Sequence, residues 1–194
     1  MMAASPHAPD QDKQDRLDRV LELVLDARSR MPANHLPKRL NGLFRELGKP
    51  EPANDPDDIE DLIWALWISH PEGRAATAMA NACEAMAAGA FDLAKPILDE
   101  LVERYPDWPE AWNKRAILAF IARQDEACLA DIERTLRLEP RHFGAISGFA
   151  QLCVRQRRHV EAKAALTIAL EIDPHLRGLR ELIDKLETPR ETMH

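Results

Sequence analysis

Apolar residues recur along this chain at helical rather than strand spacing. Leu17, Val20, Leu21 and Val24 follow i, i+3, i+4, i+7 and predict a first helix ending near Met31-Pro32. Leu23 and Leu25 lie off that stripe, so this helix is expected to bury more than one side. Leu36, Leu40, Leu43, Phe44 and Leu47 predict a second helix, stopped by Gly48 and Pro50, and Lys49 to Pro56 reads as a proline-containing linker. Asp55 is the expected N-cap of a third helix with Pro56 at its first position. Asp57, Asp58, Glu60 and Asp61 crowd its N-terminal end, where the helix dipole favours negative charge. Ile59, Leu62, Ile63, Leu66 and Trp67 form its main apolar face, and Trp64 and Ile68 need a second partner.

Beyond residue 75 the pattern repeats. Pro106, Pro140 and Pro174 stand 34 residues apart. In that register small residues share two columns, Ala82/Ala116/Ala150 and Ala94/Cys128/Ala162. Larger aliphatics share two more, Leu98/Ile132/Leu166 and Val102/Leu136/Leu170. Small columns let paired helices approach closely, and large ones fill the space between layers. Ala82 is therefore expected near Ala94, Ala116 near Cys128 and Ala150 near Ala162.

These columns resemble the tetratricopeptide repeat, a helix pair of about 34 residues with small residues at the crossing and a closing proline. The resemblance implies an all-α fold, a right-handed α–α superhelix of three units at 75–108, 109–142 and 143–176. Trp112 occupies the family's aromatic slot. Gly89 stands at the first inter-helix turn, but Arg123 and Arg157 replace it in the later units. Those two turns are expected to be less tight or differently shaped, since glycine alone takes a positive φ cheaply. Residues 1–11 read as a disordered tail, 12–74 as a helical region and 177–194 as a capping helix and tail. Trp64 falls in the Leu98/Ile132 column, so the third helix reads as half of a degenerate leading unit, packed on the first helix of the first repeat with both tryptophans largely buried. The stretches Asn113-Lys114-Arg115-Ala116, Asp131 to Leu136 and Leu138 to Ala145, with Ile63-Trp64-Ala65-Leu66-Trp67 before them, are similar to short bacterial tetratricopeptide proteins without an assigned activity.

Composition narrows the class. Lys plus Arg number 26 and Asp plus Glu 33, a net charge of −7, which disfavours general binding to nucleic acid or anionic membrane. Hydrophobic residues at 45% are too many for disorder. Cys83, Cys128 and Cys153 lack the paired spacing of a zinc site or disulfide framework and read as reduced core or groove residues. The polar stretch Met1 to Arg16 has no apolar run suited to a signal peptide, which makes cytoplasm the expected location.

Sought chemistry is sparse. The serine of Gly144-Ala145-Ile146-Ser147-Gly148 is one place too late for a nucleophile elbow, and close helix packing is the expected role of the glycines. The seven histidines show no metal-binding spacing, and no phosphate-binding glycine loop occurs. Arg155, Arg157, Arg158 and His159 read as a solvated basic turn. No catalytic residue, cofactor or metal is expected. Arg115 stands among apolar neighbours and is expected to pair with Asp131 or Glu139.

In the family the first helix of each unit lines an inner groove. The resemblance places Met79, Cys83 and Met86 there, then Asn113, Ile117, Phe120 and Ile121, then Ser147, Gln151, Val154 and Arg155. The chaperone-binding branch clamps a terminal carboxylate with Lys, Asn and Arg, and Met79 and Cys83 stand where that clamp would begin. The expected groove is mainly apolar, suited to an amphipathic helix of a protein or peptide partner, with Arg155 positioned to read a carboxylate. The expected function is a non-catalytic interaction module or adaptor. Two rivals stand beside it: a groove filled by the chain's own residues 12–47 or by a second copy in a homo-oligomer, and, less favoured, an enzyme subunit.

Overall fold

Each recurring proline sits second in a four-residue turn. The Trp108 N–H donates to Tyr105 O at 3.0 Å, His142 to Glu139 O at 3.1 Å, and Leu176 to Asp173 O at 3.4 Å. Proline pre-sets φ at this position, so each turn ends one helix pair and launches the next. The computed structural model describes the backbone of residues 8–187 and the side chains of residues 14–186. Those residues form ten helices and no strand. Three precede the repeats: α1 (Ala8–Leu25), α2 (Arg39–Leu47) and α3 (Pro56–Ile68). The repeats are α4 (Gly73–Ala87) with α5 (Phe91–Arg104), α6 (Pro109–Ile121) with α7 (Asp125–Leu138), and α8 (Phe143–Arg155) with α9 (His159–Ile172). The capping helix α10 (Leu179–Glu187) packs on α9. None of these helices is long and apolar enough to cross a membrane.

The helix pairs follow the repeat register. Ala82, Ala94, Ala116, Cys128, Ala150 and Ala162 are all buried, as are Leu98, Ile132 and Leu166. The first helices of successive units approach one another more closely than the second helices do. α4, α6 and α8 therefore lie on the inside of the curve, and α5, α7 and α9 on the outside.

The inter-helix turns depart from expectation. Arg123 and Arg157 have φ of 57° and 61°, beside 70° at Gly89. Hydrogen bonding is the same in all three: Ala90 N–H donates to Ala85 O at 2.8 Å, Gln124 to Ala119 O at 2.9 Å, and Arg158 to Cys153 O at 2.8 Å. This is the Schellman closure of a helix C-terminus. The stacking of α5, α7 and α9 back on their partners demands it, so the arginines take the left-handed conformation in spite of its cost.

Three further expectations are revised. α1 ends at Leu25, short of Met31-Pro32, because Ala27 is buried and the chain must turn for Ala33 N–H to reach Leu138 O at 2.8 Å. Residues 8–11, expected in the tail, belong to α1; the remainder of that tail, residues 1–7, lies outside the described residues. α3 makes its main packing against α2 and α6, not against α4. Trp67 is buried but Trp64 is only half-buried. Asp55 does cap α3, its side chain accepting from Asp57 N–H at 2.9 Å.

An L-residue in the left-handed region costs about 1–2 kcal/mol, partly offset in glycine by its greater chain entropy when unfolded. Arg157 is exposed, so Arg157→Gly should raise stability by about 1 kcal/mol, read as a higher urea midpoint. Gly89→Ala should lower it by a similar amount.

Candidate functional site

The concave surface is built from α4, α6 and α8, and α3 closes one end of it. The closure depends on Trp67. Its backbone O accepts from Trp108 Nε1 at 2.7 Å, and its ring stacks on His142 at 4.0 Å and 8°. Trp108 and His142 hold the same position in successive turns, one residue before helices α6 and α8. Two consecutive repeats thus grip one residue of α3. Trp64 reaches further in, its ring edge-on to Trp67 and Phe143, with Lys114 Nζ 5.7 Å from a ring centroid. A Cβ added at Gly144 would stand 2.6 Å from Trp64 Cη2, so glycine here makes room for the indole. Gly148 has ordinary space, with its nearest neighbour at 3.9 Å.

Beneath α3 lies a buried polar cluster. Glu110 and His142 are fully buried and 2.9 Å apart. His142 Nδ1 accepts from Ala145 N–H at 3.2 Å and caps α8, which leaves Nε2 to donate to Glu110. Asn113 donates to the same carboxylate at 3.0 Å, and Lys114 Nζ lies 3.1 Å from it. Burial pushes the Glu110 carboxyl up, but the His142 hydrogen bond and the neighbouring positive charge outweigh it and hold the group below its ordinary value. Both ring nitrogens of His142 are engaged, so this pair serves the scaffold and cannot exchange protons with a ligand.

Past α3 the concave surface is open. A cleft of about 240 Å³ runs between α6 and α8. Ile117 and Phe120 form one side, Gly148 and Gln151 the other, and Ala116, Cys128 and Ile132 the floor. Ile117 is 38% exposed and Ile121, beyond the cleft mouth, is 46% exposed. The walls are apolar except for the Gln151 amide and the edge of Asn113. Burial pushes the Cys128 thiol up to about 12, which leaves it unreactive at neutral pH. Cys153, equally buried, is likewise pushed up to about 12.

Asn113, Ile117, Phe120 and Gln151 therefore come together around one cleft. Ser147 and Val154 are half-buried on α8, and Cys83 and Met86 half-buried on α4, outside it. Met79 is interior at 1% exposure, packed with the core of α4 and α5, so it presents no surface to a ligand. Arg155 is also withdrawn. Its guanidinium lies 3.9 Å from the Phe120 ring centroid, donates to Phe120 O at 2.7 Å and pairs with Asp125. A guanidinium already neutralised has little to offer a ligand carboxylate, and the expected carboxylate-reading role is withdrawn for that reason. Glu110, His142 and the α3 tryptophans were not foreseen as neighbours of the site. Trp108 and His142 sharing a column was the available signal.

Arg115 is paired as expected, with Asp131 in a bidentate contact at 2.7 and 2.8 Å. Asp99 joins at 3.2 Å, and the guanidinium lies 5.0 Å from the Trp112 ring centroid. Among the described residues no group of His, Cys, Asp and Glu is arranged to hold a metal ion.

No family model matches the chain. It is similar to a TPR repeat-containing protein of Rhizobium etli, with 31% identity over 155 residues, covering 79% of this chain and 76% of that protein.

Two carboxylates give opposite pH slopes. Asp173 is fully buried, one oxygen has no partner, and burial pushes its carboxyl up to about 6. Its charged form is disfavoured in the fold, so its cost is absent below about pH 4, grows to about pH 6 and is complete above. Glu110 is held low, so its stabilisation is present above its unfolded value and is lost as pH falls below about 4. Urea midpoints should fall between pH 4 and 6 in the native chain, and that fall should be reduced in Asp173→Asn, with Asp131, which burial also pushes up, supplying the remainder.

Proposed function

The chain belongs to the tetratricopeptide-repeat family, and we propose that it is a non-catalytic interaction module whose open concave cleft takes the apolar side chains of a protein or peptide partner. The carrying observation is the pairing of a preformed cleft with the exposed Ile117 at its mouth and the exposed Ile121 one turn beyond it. A cluster of large exposed aliphatics beside a concavity is unfavourable in water and marks a contact surface. The cleft is too short for a long helix, because α3 occupies the adjoining stretch over Glu110, Lys114 and Gly144. One or two anchoring side chains from an amphipathic segment match its size, and Gln151 supplies one amide to orient them. Filling by residues 12–47, expected as a rival, is not what the fold adopts: α1 lies on the outer seam of α7 and α9 and α2 packs on α3, and it is α3 that takes the turn-side half and leaves the other. A cytoplasmic setting and the absence of a role with nucleic acid belong to the same proposal.

The test uses peptides selected from a displayed library against the full chain. Ile117→Glu places a charge at the mouth on an already exposed position, so the melting temperature should change little. Selected peptides should bind this variant at least tenfold more weakly. Equal binding to the native chain and to Ile117→Glu would place the contact elsewhere.

A further inference from the structure

A second cavity lies at the junction of α3 with the first unit. It encloses about 490 Å³ between residues 35–37, the stretch 66–72 that joins α3 to α4, and the turn 104–109. It shares no lining residue with the concave cleft. The hydrogen bond from Trp108 Nε1 to Trp67 O, at 2.7 Å, ties two of these segments together, so the cavity is preformed. One wall is aromatic. The His70 ring centroid lies 4.5 Å from that of Tyr105 and 4.7 Å from that of Trp108, and Tyr105 stands edge-on to Trp108 at 6.4 Å. Leu36 and Leu66, both half-buried, add apolar surface.

The polar groups on this wall have spent their donors and kept their acceptors. Ser69 Oγ donates to Leu66 O at 2.9 Å, and Tyr105 Oη to Glu72 Oε2 at 2.8 Å. His35 Nε2 lies 2.8 Å from Asp107 O; a carbonyl only accepts, so the ring proton is on Nε2 and Nδ1 is left with a lone pair. Glu72 Oε1, the Ser69 and Tyr105 oxygens and His35 Nδ1 remain, and all of them accept. Two donors stand against them. His70 Nδ1 accepts from Glu72 N–H at 3.1 Å, which puts that ring's proton on Nε2. Arg104 is held by Glu100 at 2.8 Å and acts on Glu72 only at longer range. Asp107 has Arg134 at 3.7 Å. Glu72 is therefore the charge on this wall that has no close ionic partner among the described residues.

We propose that this cavity binds an alkylammonium group, from a small amine or a lysine side chain, with Glu72 as its counter-ion and Tyr105, His70 and Trp108 as its aromatic wall. An ammonium brings three donors and no acceptor, which is the complement of what the wall offers. Its charge is drawn to aromatic rings as well as to the carboxylate. An anionic ligand would set its charge against Glu72 and leave the open acceptors unmatched. The volume suits a small molecule or one long side chain. This site stands whether or not the concave cleft binds a partner.

The probes are benzylamine, protonated at neutral pH, and benzyl alcohol, its neutral counterpart of similar size. Each is titrated into the full chain and followed at the indole Nε1–H resonance of Trp108. Benzylamine should bind with a Kd of about 1 mM or tighter and about tenfold more tightly than the alcohol, the factor expected of one charge-assisted hydrogen bond. Glu72→Gln removes the charge from an exposed residue and keeps an acceptor for Tyr105. The circular-dichroism melt should stay in place while benzylamine weakens to the level of the alcohol. Glu72→Asp retains the charge and should retain the preference for the amine. Nα-acetyl-lysine methylamide separates the two sources: binding as tight as that of benzylamine makes a partner's lysine the ligand, weaker binding makes it a free amine, and both uphold the proposal. Equal binding of amine and alcohol to the native chain would make the cavity a plain apolar site and overturn it. So would benzylamine binding to Glu72→Gln as tightly as to the native chain, or no shift with either probe at about 5 mM.

Discussion

A single helix pair of this length cannot bury its own apolar surface, so every unit depends on the register of its neighbour. That register is set at the turns Tyr105-Pro106-Asp107-Trp108 and Glu139-Pro140-Arg141-His142. Their last residues, Trp108 and His142, start the next helices and close together on Trp67. One indole thus reports the spacing of two repeats. A shift of either unit would break the 2.7 Å hydrogen bond to its carbonyl or the stack on its ring. The buried Glu110, tied to His142, carries the same constraint into α6. A buried ionic cluster of this kind gains little net stability over an apolar one, and its use here is specificity of register.

Both faces of the array are then partly claimed by the N-terminal helices. α1 covers the outer seam between α7 and α9, and α3 covers the inner surface at the turn side. Neither lies along α4 and α5, which form a separate small core with Trp108 and meet α3 through that residue. Arg115 explains part of this asymmetry. Phe149 at the corresponding place in the third unit is fully buried beneath the region α1 covers, whereas Arg115 needs Asp131 and Asp99 beside it and keeps partial exposure. Covering that cluster with Leu and Val would strip water from four charges.

Much of the fold was legible in the chain, and less of the candidate site. Asp55, Pro56 and the acidic first turn announced α3, and the three prolines announced the unit boundaries. That Arg115 must find a carboxylate followed from an arginine on an apolar helix, with Asp131 and Glu139 both in view; the structure chose Asp131 and added Asp99. Met79 and Arg155 were read as groove residues because register alone puts them on the inner helices. Register cannot distinguish a surface position from an interior one when the helix is the first of its array. Nor does it reveal that Arg155 finds Asp125, which stands 30 residues away, before any ligand can.

The sequence by itself determined the helix type, the 34-residue period and the small and large columns, because these rest on local backbone preference and on contacts between adjacent segments. Only the tertiary structure decided where α1 and α3 lie. An amphipathic stripe states that a helix must be buried, but not against which of several similar grooves. That choice turned on differences such as Leu129 against Lys95 and Phe149 against Arg115, which acquire meaning once the grooves are superposed by the repeat. The left-handed turns at Arg123 and Arg157 were decided in the same way. Local preference spoke against them, and the packing of paired helices, summed over many apolar contacts, outweighed about 1–2 kcal/mol at each.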